Sequence, residues 1–375
     1  MIPSPAPSFV GILELHPKGY GFLREATKRY VPKQADPYVS HEQIRQYRLR
    51  PGSLVCGSLQ PPARGNPGPR LGTITAIEGV PAAEYKTRSF EELTATDPTQ
   101  WLNLETGTEP MTTRVLDMFA PVGRGQRGLI VAPPRSGKTV LLAHISEAIS
   151  TNHPDVHLMV LLVDERPEEV TEMRRTVKGE VIASSNDQDT IAHVRTAELV
   201  IERAKRIVEQ GKDVVVLLDS LTRLARAYNK HNSSGKTMSG GVDSRAMDIP
   251  KRLFGQARAF EEGGSLTILG TCLVETNSRM DDLIFQEFKG TGNMELVLDR
   301  KLAEKRIYPA IDLLQSGTRK EERILPPEML ERINLLRRSL LQVKRADEVM
   351  ESLIKQLTKA KSNAEFLNTV GKFVK

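Results

Sequence analysis

Ala132-Pro133-Pro134-Arg135-Ser136-Gly137-Lys138-Thr139 has the residue types and spacing of a loop that cradles phosphates. The apolar run Gly128–Ala132 leads in and an apolar helical pattern follows at once, which is the strand–loop–helix context such a loop needs. Backbone N–H groups of the loop and helix start can wrap phosphate oxygens. Lys138 can set its charge on the β and γ phosphates, and Thr139 can ligate Mg²⁺. Ala132 stands where the pattern usually has its first glycine. ATP and Mg²⁺ are the cofactors implied.

Two apolar runs end in carboxylates. Val214–Leu218 delivers Asp219, placed to hold the metal through water. His157–Val163 is followed by Asp164-Glu165-Arg166. Glu165 is the candidate base that orients the attacking water; the alternative is a helix-capping acid ahead of Pro167. Arg166 joins the nucleotide-binding set. Arg319, in the polar turn 316–322, could reach across a subunit boundary to the leaving group, or be an ordinary surface arginine. A second Gly-Lys-Thr, at 235–237, lacks a leading apolar strand. It reads as a flexible loop whose Lys236 either touches a substrate or is simply solvated.

Tyr20 and Phe22 alternate in Gly19–Arg24, so they share one strand face. With Arg24 and Tyr38 they form a candidate platform on which exposed bases could stack; the alternative is a barrel core with its aromatics turned inward. Residues 1–70 carry ten Lys/Arg against four Asp/Glu, an excess equal to the whole-chain +6. A polyanion partner would suit that imbalance, and so would a solvated basic face. Arg223 and Arg226 follow the Asp219 strand, and Arg279 follows the apolar run 265–274. If subunits form a ring, the loops 230–242 and 277–282 could line its hole, with Lys236 and Arg279 on backbone phosphates.

The elements that must position these residues fall into two textures. Phe9–Leu15, Tyr20–Arg24, Pro37–Ser40, Ser53–Leu59 and Leu71–Gly79 read as short strands separated by Gly, Pro and charged turns. They suit a small closed barrel over 1–80. Residues 81–113 read as a connector. From 114 on, strands at Gly128–Ala132, His157–Val163, Val214–Leu218, Ser265–Val274 and Met294–Leu298 alternate with helices over 138–150, 168–176, 190–210 and 246–262. That alternation predicts a largely parallel sheet with helices on both faces. Beyond Pro326 the pattern is helical. The expected fold is multidomain: a small β-barrel, then an α/β core over 114–375 with a helical C-terminal region. No 18-residue apolar run and no secretory signal pattern is present. Cys56 and Cys272 read as buried free thiols in a reducing compartment. The expectation is a cytoplasmic protein without a membrane partner.

The chain resembles the bacterial transcription termination factor Rho family. The resemblance runs from about residue 9 to 375 and is carried by Gly19–Arg24, Arg114–Asp117, Gly123–Ala132, Asp164–Met173, Asp219–Tyr228, Phe288–Glu295 and Ser316–Glu322. It implies that the barrel is of the OB type and the α/β core RecA-like, in a hexameric ring that hydrolyses ATP, captures pyrimidine-rich single-stranded RNA and pulls it, with an RNA polymerase elongation complex as a further partner. By position it makes Tyr20, Phe22, Arg24 and Tyr38 primary RNA-site residues. Lys236 and Arg279 become central-loop contacts, Glu165 the catalytic glutamate and Arg319 a trans arginine finger. Tyr308 takes the position that packs on adenine.

Two departures stand out. The family usually opens with a small helical bundle, whereas this sequence starts almost on its first strand. The segment Arg64–Leu71 has neither the aromatic nor the acid that members commonly carry there, so a weaker preference for cytosine is expected. The rival readings are a rotary ATPase subunit, for which Gly123–Arg127 is reminiscent, and a RecA-type DNA helicase or recombinase.

Overall fold

The computed structural model describes residues 8–62, 68–86, 88–231, 241–243, 245–340 and 345–373. They divide into two compact units: residues 1–93 with 194–212, and residues 94–193 with 213–375.

In the first unit, β1 (Ser8–Leu15), β2 (Gly21–Arg24), β3 (Tyr38–Val39), helix α1 (His41–Gln46), β4 (Leu54–Gln60), β5 (Arg70–Ile77) and β6 (Val80–Pro81) follow in order. The sheet runs β3-β2-β1-β4-β5-β6, and a β3–β5 pairing closes it, which removes the exposed edges of an open sheet. Leu13, Leu23, Val39, Val55, Leu71, Ile74 and Ile77 fill the interior. The sequence did not signal α1. Its start is a capping box: Ser40 Oγ accepts from Gln43 N–H, and the Gln43 side chain accepts from Ser40 N–H.

The second unit begins with β7 (Ala95–Thr96), α2 (Met111–Phe119), β8 (Arg127–Ala132), α3 (Lys138–Asn152), β9 (His157–Glu165), α4 (Pro167–Thr176) and β10 (Glu180–Ser185). Helix α5 (Thr190–Val208) then passes mostly into the first unit. There Arg195 pairs with Glu14, Arg203 with Glu78, and Glu209 with Arg50. A side chain on Gly52 would have its Cβ 2.4 Å from the α5 backbone at Glu202, which is why only glycine fits there.

The second unit continues with β11 (Asp213–Asp219), α6 (Leu221–His231), α7 (Asp248–Phe254), β12 (Arg258–Phe260), β13 (Ser265–Leu273), α8 (Arg279–Lys289), β14 (Met294–Val297), α9 (Arg300–Glu304) and β15 (Gly317–Thr318). It ends in α10 (Pro327–Leu340), α11 (Ala346–Leu357) and α12 (Asn363–Phe373). Strand order along the sheet is β10-β9-β11-β13-β8-β14-β15. β9, β11, β13, β8 and β14 are parallel. Parallel strands covered on both faces read as continuous apolar runs.

One expectation needs correcting, and two strands were not foreseen. The helix expected over 246–262 stops at Phe254. Gly255 caps it, and Gly263 and Gly264, both at positive φ, turn Arg258–Phe260 back onto β13 as a strand. Within the connector 81–113, β7 pairs with β12, a strand the sequence did not signal. Finally, β10 pairs beside β9, although its sequence gave no strand assignment.

The C-terminal helices are tied down by one buried charge. Arg114 is 0% exposed and donates to Asn363 Oδ1 at 3.1 Å and to the carbonyls of Leu357 and Ala360 at 3.0 and 3.1 Å. Arg114→Leu leaves those acceptors buried without a donor. The expected loss is about 3 kcal/mol, read as a lower urea midpoint. An unchanged midpoint would remove Arg114 from this anchoring role.

Candidate functional site

The phosphate loop leaves the C-terminal end of β8 and turns into α3 at Gly137, whose φ of 91° lies in the left-handed region. A residue with a Cβ is strained there. Ser136 is buried and ties the loop with an Oγ donation to Pro133 O at 2.7 Å. Pro134 and Arg135 are exposed, and Thr139 is half-buried at the start of α3.

Lys138 reaches into a pair of buried acids. Its Nζ lies 2.5 Å from both carboxylate oxygens of Asp219 and 3.2 Å from Glu165 Oε1. Glu165 and Asp219 are each 2% exposed. β13 intervenes between β8 and β11, and it contributes Thr271, whose hydroxyl donates to Asp219 Oδ1 at 2.6 Å. Burial alone would lower the lysine pKa, but the Asp219 and Glu165 charges outweigh it and the pKa is raised. Burial dominates at Glu165 and raises its carboxyl, with Lys138 and Arg223 pulling the other way.

Glu165 Oε2 accepts no hydrogen bond and lies 3.3 Å from the Arg223 guanidinium. Arg223 also donates to the Asp164 carbonyl. Asp164 sits at φ 57° in a bulge of β9, so this arginine grips the backbone where the strand presents Glu165. Thr271 was missed in the sequence and Arg223 was not assigned to this site. Thr271 belongs to no motif, and Arg223 lies in the Asp219–Tyr228 stretch without any signal that it turns towards Glu165; the strand order brings both to the acids.

The residues present fit a magnesium nucleotide. A cationic lysine stands at the helix N-terminus that follows the loop, the buried Glu165 Oε2 has an unused lone pair for a water, and Thr139 with Asp219 offers oxygens to Mg²⁺. Among the described residues no cluster of His, Cys, Asp or Glu could hold a metal by itself. A Mg²⁺ here would complete its shell with phosphate and water oxygens. Tyr308 is 47% exposed, and its ring edge is 3.7 Å from where a Cβ on Gly137 would stand. Arg166 is exposed at the N-cap of α4.

Arg319 lies far from this loop in its own chain. β15 pairs with β14 at Thr318–Met294, and Met294 pairs with Gly128. That is the opposite end of β8 from Ala132, roughly 13 Å away at ~3.3 Å per residue. The side chain is exposed.

The aromatics gather on the barrel. Tyr20 lies 5.8 Å from Phe22 and 5.5 Å from Tyr38 between ring centroids, and all three are half-buried. They face away from the interior leucines, so the inward reading fails. Arg24 is not free on the surface. It is 8% exposed and donates at 2.5 Å to both Glu14 and Asp36, while its guanidinium lies 5.1 Å over Phe22. Lys236 lies outside the described residues. Arg279 is exposed at the first turn of α8. Arg226 is engaged with buried Asp281 at 2.7 and 2.5 Å, which joins α6 to α8. Of the two cysteines, Cys272 is buried and Cys56 half-buried, both free, and burial pushes the Cys272 thiol up to about 12. Among the described residues no helix is long and apolar enough to cross a membrane.

Residues 9–83 match the family model "Rho termination factor, RNA-binding domain", and residues 112–318 match "ATP synthase alpha/beta family, nucleotide-binding domain". A transcription termination factor Rho from Pseudomonas aeruginosa is 52% identical over 367 residues, covering 96% of this chain and 87% of that one. The Rho of Haemophilus influenzae is 52% identical over 368 residues, with 96% and 87% covered. Among solved structures, a type III secretion system ATPase superposes with TM-score 0.61 at 24% identity, over 83% of this chain and 95% of its own. The assembled ATPase EscN of enteropathogenic E. coli gives 0.61 at 22%, over 81% and 77%. At that identity the two structures share the fold alone.

Removing Lys138 strands two buried carboxylates and takes the cation from the phosphate loop. Lys138→Ala is therefore expected to abolish ATP turnover; retained turnover would reject the site. A base must be ionised, so kcat/KM should fall as pH drops through a value above the ordinary 4.5 of glutamate. An acid limb at or below 4.5 would exclude Glu165 as that base.

Proposed function

Because this chain belongs to the transcription termination factor Rho family, we propose that it is an RNA-dependent ATPase that terminates transcription by pulling single-stranded RNA through a ring of its own subunits. The observation that carries the proposal is the joining of two parts in one chain. One is a closed barrel with outward aromatics; the other is a phosphate loop backed by Lys138, Glu165 and Asp219. The nucleotide-binding part alone is shared with ATP synthase subunits. The RNA-binding domain match over 9–83 favours RNA as the cargo over a rotary role.

In this reading Lys138 binds and charge-balances the β and γ phosphates, and Thr139 and Asp219 hold Mg²⁺. Mg²⁺ supplies charge neutralisation for phosphoryl transfer. Glu165 orients the attacking water by accepting a hydrogen bond from its O–H at Oε2. Arg223 fixes the bulge that presents Glu165, and Tyr308 packs on the adenine. Arg166, exposed at the N-cap of α4, joins the nucleotide-binding set.

Arg319 acts in trans. Its place at the opposite strand end from its own loop supports service to a neighbouring subunit, which makes the active unit an oligomer, a hexameric ring in our reading. Tyr20, Phe22 and Tyr38 take bases, with Arg24 as a support beneath Phe22. Lys236 and Arg279 contact RNA in the ring centre. An RNA polymerase elongation complex is the partner on which termination acts, in the cytoplasm.

ATP turnover should rise strongly with single-stranded RNA and little with single-stranded DNA. Equal stimulation by both would favour the DNA-helicase reading, and none by either a rotary role. Arg319→Ala subunits should lower the activity of mixed rings more steeply than their fraction. Full activity of Arg319→Ala rings, pure or mixed, rejects the trans role.

A further inference from the structure

The hairpin that carries the base platform holds one ring more than the alternation of Tyr20 and Phe22 predicts. β1 and β2 pair with Ile12 opposite Arg24, Glu14 opposite Phe22, and Leu15 opposite Gly21. The turn continues that register, since His16 N–H donates to Tyr20 O at 2.8 Å and Gly19 N–H donates to His16 O at 2.8 Å. Cross-strand partners lie on the same side of a sheet. Glu14, His16, Tyr20, Phe22 and Arg24 therefore share the outer face, while Leu13 and Leu23 point to the core.

His16 uses that position. Its imidazole stacks flat on Tyr20, with centroids 4.5 Å apart and planes 8° apart. His41, exposed at the start of α1, meets Tyr20 edge-on at 6.2 Å. Gly19 makes room for it: a Cβ there would stand 2.8 Å from the His41 ring. One face of Tyr20 is thus covered, so a base approaching from that side meets the imidazole and not the phenol. Lys18 N–H donates to His16 Nδ1 at 3.2 Å. In the neutral ring this leaves the proton on Nε2, a donor for an acceptor on a base edge or phosphate.

We propose that His16 is the outer shelf of the RNA platform, stacking one nucleotide beyond those held by Phe22 and Tyr38. This rests on the reading of the barrel as an RNA site and names a further base contact within it. Stacking needs only a π-face, so the shelf accepts any base. The hairpin hydrogen bonds set the ring in place before RNA arrives, so little is lost in ordering it.

The test uses the full chain and labelled oligocytidine RNAs lengthened one nucleotide at a time, at one salt concentration. His16→Ala should bind the longer oligomers about tenfold more weakly, and its affinity should stop rising one nucleotide earlier than that of the parent. His16→Phe should restore both. Parent-like affinity and length dependence in His16→Ala would overturn the proposal. So would an equal loss at every length, which marks damage to the hairpin. Phe22→Ala is the companion measurement. If it too binds like the parent, the RNA-platform reading itself fails; if it alone weakens binding, only the His16 shelf is lost.

Discussion

One lysine between two buried acids is the constraint on which the second unit depends. Lys138, Glu165 and Asp219 come from three places along the chain and meet within hydrogen-bond distance. Two carboxylates at 2% exposure are costly without a cation. The sheet must therefore deliver β8, β9 and β11 in register for Lys138 to reach both. The same arrangement prepares the chemistry. A polyphosphate that draws Lys138 onto itself leaves Asp219 and Glu165 needing other partners, which a metal ion and a water can supply.

Charge is managed similarly in the first unit, but with the opposite bias. Its excess of Lys and Arg suggests a surface open to a polyanion, yet several of these cations are already engaged. Arg24 pairs with Glu14 and Asp36, Arg50 with Glu209, and Glu14 also receives Arg195 from α5. Net charge still attracts RNA from a distance. In the proposed function close recognition falls to the rings, which are outward because β1 and β2 alternate and the inward positions belong to leucine.

A RecA-type core by itself serves many tasks. Secretion ATPases share its shape with this chain at 22–24% identity, and the family model over 112–318 is one of ATP synthase subunits. The kinship with rotary enzymes read in Gly123–Arg127 is thus real at the level of the motor domain. The barrel separates the cases, through the aromatic face that the motor alone lacks.

The sequence by itself determined the local chemistry. The phosphate loop, the apolar runs ending at Asp219 and Glu165, and the Tyr20–Phe22 alternation are set by neighbours a few residues apart, and period and turn chemistry reveal them. It also reads most of the sheet, because buried parallel strands are continuous apolar runs. What lay beyond it depends on partners distant in sequence. β12 is a strand because β7 and β13 flank it, although Asp248–Phe254 just before it is helical. Thr271 enters the site only because β13 lies between β8 and β11, and Arg223 because β11, which leads into α6, lies beside β9. Arg24 is a support rather than a surface charge because the fold brings Glu14 and Asp36 to it. His16 joins the platform because the hairpin register carries across the turn. Tertiary structure decided these points, since burial and pairing are set by which segments meet, and no local pattern encodes that meeting.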